Sequence, residues 1–377
     1  MSPTAIGYSA WERRIAAWLI ACCALVFAIV VLGGITRLTH SGLSIVEWQP
    51  IVGTLPPLTS ADWQALFLQY QQTPEYQKVN PGMTLAGFKG IFWLEYFHRL
   101  LGRLIGIAFF VPFLYFLWRR ALAMPLALKL GGIFVLGALQ GVMGWYMVKS
   151  GLVDDPRVSQ YRLTAHLSLA IAIYGAMLWI ALDLLRPEGS HGVAPGGSRR
   201  VRRLAWAATV LVIALVVTGG FVAGIRAGYA YNTFPLMNGN LIPPELFRIE
   251  PWYLNFFNNM ATVQFDHRLI AWLLAFAVPW LWYESGRAGL PARTRLLTHL
   301  LLATAAVQIA LGIATLLLVV PAALAAAHQA GALVVFTVAL AVNHSLRTGG
   351  SMGTQQNEDR QLGVHGSTRS PRTGRSP

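Results

Sequence analysis

Residues 92–118 read FWLEYFHRLLGRLIGIAFFVPFLYFLW, and residues 263–283 read VQFDHRLIAWLLAFAVPWLWY. Each run is apolar and long enough to cross the roughly 30 Å hydrocarbon layer of a bilayer, which takes about 20 residues of helix. Each carries a histidine in the same setting: Glu95-Tyr96-Phe97-His98-Arg99 in one, Gln264-Phe265-Asp266-His267-Arg268 in the other. A second histidine follows in each case, as Ala165-His166 and Ala327-His328. Histidine in lipid is expensive unless it has a partner or a task. Two pairs in matching places read as axial ligands for two metal centres, and imidazoles on facing helices are a usual means of holding haem iron.

The rest of the 377 residues agrees with a membrane setting. Hydrophobic residues make up 55% and charged residues 12%, a balance unlike that of a soluble domain. Eight spans are predicted, at 15–35, 92–118, 130–148, 163–185, 204–222, 263–283, 296–320 and 322–346, giving an all-α polytopic membrane protein whose partner is the lipid bilayer. The net charge of +14 invites a nucleic-acid reading, but the placement of the charges argues against one. With the N-terminus in the cytoplasm, 18 of the 29 basic residues fall in cytoplasmic segments, among them Arg13, Arg14, Arg119, Arg120 and the cluster Arg199, Arg200, Arg202 and Arg203. Only eight fall in outer segments, so the charge is largely topological and both termini are expected in the cytoplasm. Cys22 and Cys23 are neighbours and offer no disulfide framework. Arg13-Arg14 and Leu19-Ile20-Ala21-Cys22 resemble a signal peptide with a lipoprotein cleavage box. The apolar run continues past the cysteines, however, and has a counterpart in the second half, so a retained helix is expected.

The halves repeat in order. Gly33-Gly34 ends the first span and Gly219-Gly220 the fifth; Gln140 and Gly144 in the third match Gln308 and Gly312 in the seventh. Four helices per half is an even number, so the repeat is parallel rather than inverted, and two four-helix bundles are expected. Residues 1–186 form the first half and 204–347 the second. Between them, 187–203 reads as a flexible cytoplasmic linker, and 348–377 as a disordered cytoplasmic tail. The even-numbered spans all run inward and carry their histidines early, which places all four toward the outer leaflet.

Each motif also has a plainer reading. Glu95, His98 and Gly102 share one helix face, as do Gln264, His267 and Ala271. A small residue one turn past the ligand leaves room for a flat macrocycle, or it serves helix contact with the histidine bonding across. Four histidines in register favour ligation. Arg99 and Arg268 suit haem propionates at the membrane edge, or they snorkel. Glu95 is a candidate for proton transfer, or it pairs with Arg99 one turn on. Gln140 and Gln308 read as stitches between helices, and the long outer segments 36–90 and 223–262 as caps over the sites or as aromatic belts. His40, His191, His299, His344 and His365 have no repeat partner and are read as non-ligands. The halves differ beside the histidines: Glu95 answers to Gln264, Arg103 to Trp272 and Arg162 to Leu324. The charged first half suits chemistry, and the neutral second half a resident cofactor.

Gly33-Gly34-Ile35-Thr36-Arg37-Leu38, Trp48-Gln49-Pro50, Glu95-Tyr96-Phe97-His98-Arg99, Gly224-Ile225-Arg226-Ala227-Gly228 with Asn232-Thr233-Phe234-Pro235, and Asp266-His267-Arg268 together resemble the haem A synthase family. The resemblance covers nearly all of residues 15–346 and is nearest the branch of mitochondria and related bacteria. In another branch, cysteine pairs stand in the outer loops; none does here. The resemblance implies an enzyme of the bacterial inner (cell) membrane that oxidises a methyl group of haem O to a formyl group, supplying cytochrome c oxidase. It implies haem b on His267 and His328, haem O as substrate at His98 and His166, and Glu95 as the essential carboxylate. Haem O synthase, oxidase assembly factors and a second copy of the chain are the partners it suggests. Two rivals remain: a di-haem b-type cytochrome that only transfers electrons, and a duplicated transporter. The first leaves the one-sided carboxylate and arginines unexplained; against the second, the polar residues cluster at the outer ends and no midplane binding site is evident.

Overall fold

In hydrocarbon, every backbone N–H and C=O must be satisfied within the chain, and a helix does this locally. The computed structural model describes residues 4–47, 52–152, 156–185 and 198–347, which form helices and connecting loops with no strand. In order, the helices are α1 (Thr4–Leu38), α2 (Ser60–Gln71), α3 (Pro74–Lys78), α4 (Leu85–Trp118), α5 (Met124–Lys149), α6 (Gln160–Leu184), α7 (Ser198–Gly224), α8 (Asn255–Asn258), α9 (Met260–Arg287), α10 (Ala292–Leu317) and α11 (Ala322–Ser345). All but α2, α3 and α8 are long and apolar enough to span a bilayer, and the protein is a multi-pass membrane protein. One such helix coincides with each of the eight expected spans.

Two boundaries differ from expectation. Residues 198–203, read as linker from their arginines, are already helical. Arginine is a good helix former, and Val201 is buried on the same face as Ala205, Ala208 and Val212. α10 stops at Leu317 rather than at 320, and the chain turns through Val319 and Val320, both with left-handed φ. Pro321 opens α11 and bars the residue before it from the helical region. The Trp48-Gln49-Pro50 motif, linker residues 187–197 with His191, and the tail from 348 with His365 lie outside the described residues.

α1 packs against α4 and α6, and α5 against the same two; α7 packs against α9 and α11, and α10 against the same two. The two sets join through α1 with α11, α6 with α7, and α6 with α11. Lipid tails are as apolar as leucine, so close packing of small residues and hydrogen bonds hold such helices together. Ala16, Ala170, Ala205, Ala208 and Ala339 are accordingly buried. Across the seam, Tyr174 and Thr337 share a hydroxyl hydrogen bond of 2.7 Å, and Gln329 Nε2 donates to Val30 O at 2.7 Å. Such bonds contribute about 0.6 kcal/mol each.

Outside the spans, α2 and α3 fold over the start of α4. Trp63, Tyr70, Phe88, Phe92 and Tyr96 form one buried aromatic cluster, with Tyr70 stacked on Phe88 at 5.2 Å and Trp63 edge-on to Phe92 at 5.0 Å. Tyr96 OH donates to Thr54 O at 2.6 Å, tying the loop down. This segment is therefore packed onto the start of α4. Within it, Glu75 is only 2% exposed, and its Oε2 has no hydrogen-bond partner among the described residues. Burial, reinforced by the nearby Glu95 carboxylate, pushes the Glu75 carboxyl up to about 8.

Two outcomes are expected. A methyl on Gly224 would meet Gln160 Cα at 2.7 Å, whereas one on Gly137 meets nothing within 4 Å. Gly224→Ala should destabilise the protein by roughly 1–3 kcal/mol. Gly137→Ala should leave the melting temperature in detergent unchanged or slightly higher. For Glu75, the raised value in the folded state means that stability is full below the ordinary carboxyl range and falls as pH rises through about 8. Glu75→Gln should therefore gain on the parent at pH 9, on the order of a few kcal/mol, and not at pH 4. A constant difference in melting temperature at both pH values would refute the buried acid.

Candidate functional site

Each of the four histidines sets its ring against a glycine on a neighbouring helix of its own set. A methyl on Gly33 of α1 would lie 2.9 Å from His98 Nε2, and one on Gly144 of α5 would lie 3.1 Å from His166 Cε1. On Gly219 of α7 it would lie 3.4 Å from His267 Cε1, and on Gly312 of α10 2.8 Å from His328 Cε1. Every one of these glycines stands five residues before the end of its helix. The four rings consequently sit near one end of the bundle. The second glycine of each pair looks the other way, across the seam: Gly34 meets Gln329 of α11, and Gly220 meets Thr164 of α6. His98 and His166 lie within electrostatic range of each other, and so do His267 and His328.

Hydrogen bonds orient the rings unequally. Thr218 Oγ1 lies 2.9 Å from both Ala214 O and His267 Nδ1; with its one proton on the carbonyl it accepts from His267 Nδ1–H. That tautomer leaves the Nε2 lone pair of His267 free to bind a metal. The matching residue on α1 is Leu32, which has no such bond to offer His98. Gln140 Nε2 donates to His166 O at 3.0 Å, and Gln308 Nε2 donates to His328 O at 2.8 Å; both amides also lie against the ring of that histidine. These glutamines do stitch helices, and the helices they stitch to are the histidine-bearing ones. Gln140 Oε1, Gln308 Oε1 and His166 Nδ1 are buried without a hydrogen-bond partner among the described residues.

Glu95 is 2% exposed and fully engaged. Its Oε2 accepts from Ser44 N at 2.7 Å, Ser44 Oγ at 2.8 Å and Ile45 N at 2.9 Å. Its Oε1 accepts from Arg99 Nε at 3.0 Å and from Arg99 Nη2 at 2.6 Å. Arg99 in turn donates to Ile45 O and Glu47 O. The second set repeats the arrangement without the charge. Gln264 Oε1 accepts from Arg268 Nη2 at 3.0 Å, Gln264 Nε2 donates to Ala227 O at 2.8 Å, and Arg268 donates to Tyr231 O and Thr233 O. In both sets an acid or amide and an arginine one helical turn apart clasp the outer loop. Elsewhere, Arg162 donates to Tyr146 O and lies 3.6 Å over its ring, and Trp272 stacks on Phe234.

Among the described residues, no three His, Cys, Asp or Glu side chains converge as a metal cage. A pair of imidazoles suits an ion that brings its own equatorial donors, as haem iron does. The ring slots that a Cβ would fill, the free Nε2 of His267 and the unpaired amide oxygens fit such a group. Of the histidines read as non-ligands, His344 bonds Asp183 at 2.9 Å, His299 bonds Arg295 O at 2.7 Å, and His40 bonds Arg226 at 3.3 Å. Sequence reading missed Thr218, Ser44 and Glu75. The doubled glycines were visible, but their opposite duties were not.

The chain is similar to known proteins over most of its length. The family model described as cytochrome oxidase assembly protein, COX15-CtaA, matches residues 16–340. The heme A synthase of Nitrosospira multiformis is 67% identical over 336 residues, covering 89% of this chain and 94% of that one. That of Nitrosomonas eutropha is 58% identical over 346 residues, 91% of this chain and 97% of its own. Heme A synthase COX15 of Arabidopsis thaliana is 44% identical over 344 residues, 89% of this chain and 75% of its own. With four ring slots in an eight-span bundle and a match over most of its length, the chain belongs to the COX15-CtaA family of cytochrome oxidase assembly proteins.

Proposed function

We propose that this protein is a haem A synthase, converting the methyl group of haem O to the formyl group of haem A for cytochrome c oxidase. The observation that carries the reading is the set of four histidine–glycine slots near one end of the bundle, two per set of helices, with Glu95 one turn before the histidine in the first set where Gln264 stands in the second. We assign haem b to His267 and His328, and the iron of haem O to His98 and His166. The haem in the second set supplies one-electron redox chemistry when bound. Support for a duplicated bundle comes from the contacts: α1 with α11 and α6 with α7 are equivalent positions exchanged between halves. Residues 1–186 and 204–347 are the halves of that proposal. The bias of basic residues supports an inner-membrane placement with both termini cytoplasmic and the haem sites toward the periplasm. Haem O synthase, oxidase assembly factors and a second copy of the chain are proposed as partners.

Glu95 takes the catalytic role in this reading. Its negative charge is held beside the first histidine pair by five hydrogen bonds. There it stabilises positive charge as the methyl is oxidised, or it accepts a proton once a donor from Ser44 or Arg99 is released. Arg99 and Arg268 are assigned to haem propionates. Of the five N–H donors of a guanidinium, Arg99 has four already committed.

Haem extracted from cells that make haem O should contain haem A only when the intact protein is present. Glu95→Gln is the probe; its amide N–H groups would face either the Ser44 and Ile45 N–H donors or Arg99, so retained b-type haem is the check that the variant folds. It should reduce haem A formation by at least about 100-fold while leaving bound b-type haem in place. Full turnover in that variant would remove Glu95 from the chemistry, and b-type haem with no haem A in the parent would make the protein an electron-transfer cytochrome. In purified protein, His267→Ala should lose the b-type absorbance and His98→Ala should retain it. The opposite pattern would exchange the duties of the halves.

A further inference from the structure

At the histidine-bearing end of the seam lies a cavity of about 390 Å³ lined by His40, Arg226, Tyr229, Ala230 and Met260. Arg226 follows Gly219 by seven residues and His40 follows Gly33 by seven, so the two occupy matched positions. They meet across the seam, Arg226 Nη2 donating to His40 Nδ1 at 3.3 Å. Both hold a left-handed backbone, with φ of 59° and 54°, a conformation disfavoured for such residues and found where the surroundings impose it.

Arg37 lies four residues past Gly33, one turn beyond the His98 slot on the same helical face. Among the described residues its side chain makes no hydrogen bond or ion pair, although it lies within electrostatic range of Arg226 and His40. The matched residue in the second half is Ala223, just as Arg226 is matched by His40 in the first, so each half brings one arginine. The carboxyl within range of Arg226 is Glu75, and burial leaves it largely protonated near neutral pH. His40 is held below its ordinary value by burial and by the two arginines. Arg226 thus lines the cavity, and the Arg37 guanidinium, without a hydrogen-bonding partner among the described residues, lies within electrostatic range of it; two cations so placed favour a bound anion.

We propose that Arg37 and Arg226 bind the propionate carboxylates of the haem substrate held by the first half, with Arg226 reaching across from the second half. This rests on the assignment of His98 and His166 to haem O. It also answers a shortage, since Arg99 keeps only one free donor. Arginine matches the planar carboxylate, and charge-assisted hydrogen bonds are among the stronger polar contacts available at a membrane edge.

The test is a binding titration of the purified full-length protein, containing its b-type haem, with haem O and with haem O dimethyl ester. Haem O should bind more tightly than the ester. Arg37→Gln and Arg226→Gln should each weaken haem O about tenfold or more and leave ester binding unchanged. Arg37→Lys and Arg226→Lys should recover most of the affinity, and an unaltered b-type spectrum verifies folding. Equal binding of haem O and ester by the parent overturns the proposal, as does haem O affinity that is unchanged in both Gln variants. Loss of a co-purifying anionic phospholipid from those variants, with haem O affinity intact, assigns the cavity to a lipid phosphate and overturns it too. A parent that neither binds haem O nor forms haem A defeats the functional reading itself, which is a different result.

Discussion

A flat imidazole ring can stand between membrane helices only where the neighbouring backbone comes without a side chain. Four glycines provide that room here, at Gly33, Gly144, Gly219 and Gly312. Because lipid gives helices no hydrophobic reason to associate, closeness of approach is itself the main source of cohesion. The same small residues therefore serve both the packing and the sites. Helix ends, histidine depth and loop attachment all follow from keeping each ring level with a glycine one turn or so from its helix end.

The two sets of helices use one clasp for different purposes. Gln264 and Arg268 hold their loop with neutral and cationic groups, while Glu95 and Arg99 hold theirs with a balanced pair. Thr218 bonds the ring of His267, and among the described residues no hydrogen bond holds the ring of His98, where α1 offers Leu32. A rigidly oriented ligand suits a permanent cofactor. A less constrained ligand suits a substrate that must arrive and leave. The neutral and charged surroundings of the two pairs are consistent with that division.

Much of this was legible in the sequence, for physical reasons that also explain the omissions. Spans announce themselves because crossing hydrocarbon demands some 20 apolar residues in a row. Histidine pairs stand out because such runs otherwise exclude them. The arginines at 199–203 misled, since charge at a span edge reads as linker while Val201 alone reports the buried face. The loop that saturates Glu95 comes from about 50 residues earlier, and Gln329 reaches Val30 from 299 residues away. No local pattern encodes such meetings. Glu75 escaped notice because a five-residue helix in a long outer segment gives no periodicity to interpret.

The contact between His40 and Arg226 has a consequence for descent. An association of two identical four-helix chains would be isologous, and residues on its axis would have to face copies of themselves. Two arginines would repel there, and two histidines would offer little charge. A fused chain escapes that rule, because each side of the axis can change alone. The unlike pair His40 and Arg226 is one that two identical chains facing each other across an axis could not form.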